Sequence, residues 1–112
     1  MSVIKKRETA GEKLNEGATR WLGNTERLMI AMVEFTDGPQ DAPPPAHSHP
    51  HDQAGYLAEG EIEIHIGSDR QRLCAGDLFF VPSGVPHTVK RFTKYVRIIE
   101  CFTPIREDFL KK

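Results

Sequence analysis

The chain has 112 residues, 38% of them apolar and 28% charged. That is one domain's worth of sequence, and a chain of this size buries only about two-thirds of its unfolded surface, leaving little apolar material for a large internal pocket. Fifteen basic residues against 16 acidic ones give a net charge of −1, so there is no electrostatic case for nucleic acid or an anionic membrane as a partner.

The N-terminal residues Met1 to Glu8 have no apolar stretch after Lys5, Lys6 and Arg7, so they do not read as a signal peptide. The longest apolar run, Leu28 to Val33, is far too short to cross a bilayer. The expected location is the cytoplasm. Helical periodicity is absent, and short β-rich runs alternate with turn residues. Leu28 to Phe35 reads as a strand closed by Asp37-Gly38-Pro39. Asp41 to Pro45 is too rich in proline for a sheet centre. Gln53 to Ala58 is the next strand, ending at Glu59-Gly60. Glu61 to Ile66 alternates strictly, with three isoleucines on one face and three polar side chains, His65 among them, on the other. Arg70 to Cys74, Leu78 to Val81, His87 to Phe92 and Tyr95 to Phe102 follow, each bounded by Gly, Pro, Ser or Asp. Arg106 to Lys112 reads as a short helical turn or a tail. Eight to ten tightly turned strands make an all-β sandwich or barrel, the class that contains jelly rolls and cupins. The expected layout is a single domain over residues 1–112, with a core at about 26–103, an N-terminal strand segment before it and a short C-terminal tail after it. Cys74 and Cys101 are far apart in sequence and are expected as reduced, buried thiols.

The residues that carry chemistry are histidines. His47 and His49 stand at i and i+2, which in an extended segment puts both imidazoles on one face, close enough to grip one ion. Gln53 follows four residues after His49, and His87 follows Pro82-Ser83-Gly84 at two residues' distance. His51 keeps the same phase, but Pro50 interrupts it, so His51 is expected at the rim or supporting a ligand. His65 is expected to be solvated.

These spacings closely resemble the cupin family, whose motifs are G-x5-H-x-H-x3-4-E-x6-G and G-x5-P-x-G-x2-H-x3-N. The resemblance spans Asp41 to Arg91. It departs at Asp41 for the first glycine, Gln53 for the glutamate and Arg91 for the asparagine. It implies a double-stranded β-helix (a cupin, or jelly-roll, barrel). It also implies one divalent transition metal (Zn, Ni, Mn, Fe or Cu) on His47, His49, Gln53 and His87. Three neutral imidazoles and an amide would leave the ion its whole charge, making it a stronger Lewis acid. The family further implies a homodimer formed through sheet faces or exchanged N-terminal strands, for which the Thr19–Asn24 segment with Trp21 is the candidate.

The C-terminal run from Ile99 to Leu110, together with Pro44 to Gln53, is similar to the small cupins of pectin and alginate breakdown, which open the ring of 4,5-unsaturated monouronates. That similarity implies a small carbohydrate acid as partner and assigns Glu100, Phe102 and Arg106 to the catalytic site, Glu100 standing where those proteins carry aspartate. Ile98, Glu100 and Phe102 share one face of their strand. Arg106 is suited to a bidentate pair with a sugar carboxylate, or alternatively to an ion pair with a local acid. A three-histidine cupin dioxygenase and a non-catalytic sugar- or anion-binding cupin remain the alternatives.

Overall fold

Apolar and polar side chains alternate through most of the chain, and the backbone answers with strands. The computed structural model describes residues 3–110, so Met1, Ser2, Lys111 and Lys112, the outer ends of the two terminal readings above, lie outside it. Among the described residues the strands are β1 (Glu12–Asn15), β2 (Ala18–Asn24), β3 (Met29–Phe35), β4 (Asp52–Glu59), β5 (Glu61–Ile66), β6 (Asp69–Cys74), β7 (Leu78–Val81), β8 (His87–Arg91) and β9 (Val96–Thr103). One helical turn, α1 (Glu107–Leu110), ends the described chain. None of its helices is long and apolar enough to cross a membrane.

The strands form a six-stranded sheet in the order β1-β2-β3-β9-β4-β7 and a three-stranded sheet β6-β5-β8. Every pairing is antiparallel. The two sheets face each other as a double-stranded β-helix, as the sequence implied. Their inner faces meet in a core of Leu57, Ile62, Ile64, Phe79, Val81, Val96 and Ile98, each at most 5% exposed. Burying side chains of this size is worth about 1.5–3 kcal/mol each. The isoleucine face of β5 points into this core, as its alternation demanded. Met29, Ala31 and Phe102 form a smaller cluster, against which Leu22, Ile105 and Phe109 pack.

Two glycines set the local geometry. Gly60 takes φ +93° between β4 and β5, and a Cβ there would lie 2.5 Å from the carbonyl oxygen of Tyr95. Gly55 on β4 makes room for the outer end of the Phe79 ring; a Cβ would come within 2.0 Å of it.

The N-terminal strand segment adds the hairpin β1–β2 to the edge of the six-stranded sheet, which begins at Glu12. Two sequence expectations need correction. Both cysteines are exposed and unbonded; Cys101 lies on the outward face of β9, and Cys74 ends the edge strand β6. His65 is not freely solvated: its Nε2 is 2.7 Å from Glu63 Oε1, and its side chain is only 15% exposed.

Candidate metal centre

Pro43, Pro44 and Pro45 keep the segment before β4 out of the sheet, yet backbone hydrogen bonds tie this segment to the start of β8. His47 N–H donates to His87 O at 3.0 Å and His87 N–H to His47 O at 2.9 Å. Gly84 N–H donates to His49 O at 2.8 Å. Residues far apart in the chain are thus fixed side by side by main-chain bonds, before any ion enters the argument. Ring centroids are 4.3 Å apart for His47–His87, 4.8 Å for His49–His87 and 5.8 Å for His47–His49. One ring nitrogen from each lies within 4.8 Å of the other two. The three imidazoles form a cluster able to coordinate one metal ion.

Hydrogen bonding fixes which nitrogens are free. His87 Nδ1 is 2.9 Å from Val85 O, and His49 Nδ1 is 3.1 Å from His51 O. A carbonyl only accepts, so both Nδ1 atoms carry the proton and both Nε2 atoms present lone pairs. His87 Nε2 is buried without a hydrogen-bond partner. His49 Nε2 stands 3.0 Å from Gln53 Oε1, and Gln53 Nε2 donates to Glu100 Oε2. In this orientation two acceptors face one another, an arrangement that a cation between them would satisfy. The donor set therefore fits a divalent transition ion. His47 and His49 are held below the usual histidine range, first by burial and then by neighbouring positive groups: His87 then His49 for His47, Arg106 then His87 for His49. Both stay neutral near pH 7, as ligands must.

Behind the cluster is Glu100. Its β9 position is paired with Ala31 on one side and Gly55 on the other, and the Phe79 ring fills the space over Gly55, so the carboxyl stands on an otherwise apolar wall. Burial pushes Glu100 up to about 7, opposed by the positive charges of Arg106 and then Arg20. Phe102, 3% exposed, lies one row nearer the imidazoles, with its ring 5.9 Å from His49 and 5.6 Å from Phe109. Arg106 makes a two-point pair with Asp108 (Nε 3.2 Å, Nη2 2.8 Å) while its guanidinium lies over Phe109 at 4.1 Å and Phe102 at 5.2 Å. It thus has the local acid partner and a place beside the cluster at once. His51 supports His49 through its carbonyl. Arg91 is structural: it donates to Asp37 at 2.7 Å and stacks over Phe35.

One residue of this wall escaped the sequence reading. Arg20, with its side chain 10% exposed, pairs with Glu12 at 2.9 Å and covers the Phe109 ring at 4.1 Å. The signal was there: Ala18, Arg20 and Leu22 alternate onto one face of β2.

Residues 33–100 match the model of the cupin domain family. The chain is 32% identical to the pectin degradation protein KdgF of Dickeya dadantii over 105 residues, covering 92% of this chain and 93% of that one. It superposes on KdgF from a Halomonas species with a TM-score of 0.86 at 29% identity, covering 97% and 98% of the two chains. An RmlC-like cupin from Shewanella frigidimarina gives the same TM-score at 33% identity, over 97% of this chain and 96% of that one. With its facing antiparallel sheets and its histidines gathered from two separated motifs, the chain belongs to the cupin family, as a small cupin related to KdgF and the RmlC-like proteins.

Proposed function

We propose that this cupin is a metal-dependent enzyme that opens 4,5-unsaturated uronates to their linear keto acids. The observation that carries the reading is the direct link from the imidazole cluster through Gln53 to Glu100, a carboxyl group whose proton is exchangeable near neutral pH. The similarity to KdgF supplies the substrate class.

His47, His49 and His87, with Gln53 Oε1, would hold one zinc, nickel, manganese, iron or copper ion. When bound, such an ion supplies a Lewis acid that stabilises negative charge developing on sugar oxygens. The protein's own groups do the rest. In the reaction the anomeric hydroxyl loses its proton, the bond from C1 to the ring oxygen breaks, and the former ring oxygen is left as an enolate on C5. A proton delivered to C4 then completes the 5-keto acid, with no atom gained or lost. The Glu100 carboxyl would carry that proton on the oxygen that Gln53 does not engage, and a value pushed up to about 7 supports its loading and unloading at neutral pH. Arg106 keeps N–H groups beyond those given to Asp108 and is placed to hold the sugar carboxylate. Phe102 walls the cavity and excludes water on that side.

The test is to supply unsaturated galacturonate or guluronate and follow loss of the conjugated double bond. The metal-loaded wild type should exceed the spontaneous rate, and Glu100→Gln should return to it. Equal rates for wild type, Glu100→Gln and the protein-free control would end the proposal. Oxygen uptake with the same sugars would move the chain to the dioxygenases.

A further inference from the structure

The C-terminal turn carries a contact that neither the barrel nor the imidazole cluster requires. Phe109 N–H donates to Arg106 O at 3.0 Å, which closes one helical turn and brings side chains 106 and 109 onto one face. The Phe109 ring is seated against the cluster of Met29, Ala31 and Phe102, and Arg20 lies over it at 4.1 Å, so this face of the turn is anchored. Asp108 takes the other side. Its side chain is 57% exposed, yet it spans Arg106 Nε and Nη2 at 3.2 and 2.8 Å. An ion pair so open to water contributes little to stability. Holding the fold together does not account for it.

We infer that Asp108 is a positioning residue, which fixes Arg106 so that the free edge of its guanidinium meets the carboxylate of the sugar; the inference rests on the function proposed above. A planar guanidinium offers a carboxylate two edges, one through Nε and Nη2 and one through Nη1 and Nη2. Asp108 occupies the first. Because Nη2 carries two hydrogens, the second edge stays complete. The rings hold the centre of the group, over Phe109 at 4.1 Å and Phe102 at 5.2 Å. With its centre stacked and one edge taken, the guanidinium has little freedom left to turn. A carboxylate in the same chain could instead compete with the sugar for Arg106, and the charge distribution argues against that. Behind the burial that raises it, Glu100 responds to Arg106 and then to Arg20, and not to Asp108. Asp108 is lowered first by its hydrogen bonds to Arg106 and least by His51. The guanidinium therefore stands between Asp108 and the buried carboxyl, and the edge that Asp108 covers is turned away from the interior.

Steady-state kinetics of the metal-loaded full chain on unsaturated galacturonate read the effect. Asp108→Ala should raise KM roughly three- to tenfold, the cost of ordering one long side chain at binding, and leave kcat unchanged. Glu107→Gln, which removes the same charge from the same turn, should leave both constants unchanged. In an Arg106→Gln background Asp108→Ala should have no further effect, because its influence passes through that guanidinium. Saturated galacturonate, which keeps the carboxylate and cannot react, gives a readout without turnover: in a chemical-shift titration Asp108→Ala should weaken its binding by the same factor. Binding that depends on Asp108 in a protein without turnover would remove the proposed function and leave the positioning role standing. A KM that stays put overturns the inference, and a KM that falls makes Asp108 a competitor for Arg106. A drop in kcat alone, or an equal loss in the Arg106→Gln background, overturns it too. So does a wild type in which neither turnover nor galacturonate binding depends on Asp108.

Discussion

Replacing Glu100 by glutamine should make the metal-free protein more stable and abolish the proposed activity, and the size of the first effect follows from the wall around β9. The Glu100 carboxyl is raised from 4.5 to about 7 by burial, against the pull of Arg106 and Arg20. A carboxyl whose folded value exceeds its unfolded value holds a proton in the native state that the unfolded chain has already released. Stability therefore falls as pH rises through the window from 4.5 to about 7, and the penalty is complete above it. At about 1.4 kcal/mol per unit the full penalty is about 3 kcal/mol. Because Glu100 remains partly open to solvent as a residue, about 2 kcal/mol is the better figure. Glutamine keeps an oxygen to accept from Gln53 Nε2 and carries no charge to desolvate. In a chelator at about pH 8, Glu100→Gln should melt about 8 °C above wild type, and near the ordinary carboxylate range the difference should vanish. Thermal melts over this pH range decide it. A variant no more stable than wild type at the alkaline end, or a difference that does not change with pH, would refute the account of Glu100 as a desolvated acid.

Further outcomes follow from other parts of the molecule. A divalent ion at about a hundred times its dissociation constant should stabilise wild type by about 2.7 kcal/mol, about 10 °C in a melt, and His87→Ala should abolish that gain. Phe102→Ala, removing a ring that is 3% exposed, should cost about 3–5 kcal/mol in urea unfolding. It should also raise KM for the sugar if the ring walls the cavity. Gly60→Ala forces a Cβ onto the Tyr95 carbonyl at φ +93° and should lose more than about 2 kcal/mol of stability by the same measurement.

How much of this was legible in the sequence depended on whether a residue's fate was set locally. The β5 strand was readable because its isoleucines repeat at the strand period and one face had to be buried. His47, His49 and His87 were readable because ligand geometry imposes spacing on each motif separately. β1 left no such trace: Glu12, Lys13, Leu14 and Asn15 are all exposed, so nothing in their pattern distinguishes a strand from a loop. Cys101 was expected inside on general grounds, as a reduced thiol with no cysteine at close spacing; its actual exposure depends on which face of β9 it takes, and there it shares the outward side with Ile30 and Ala54. Arg106 shows a different limit. Its pairing with Asp108 is local, but its stacking on Phe102 and Phe109 depends on how the chain turns back after β9, and no residue spacing encodes that.

The departure of Gln53 from the cupin motif and the raised carboxyl of Glu100 explain one another. A glutamate at 53 would lie against Glu100 with no hydrogen to give it, and two carboxylates in contact cannot both ionise; they would share one proton and titrate as a pair. Glu100 could then not gain and lose a proton on its own. An amide at 53 removes the conflict, because its Oε1 faces the imidazole cluster while its Nε2 donates to Glu100. The same exchange leaves the ligand set neutral, so an ion bound there would keep its full charge for the oxygens of the proposed substrate. On the proposed reading, one neutral side chain would separate metal binding from proton transfer.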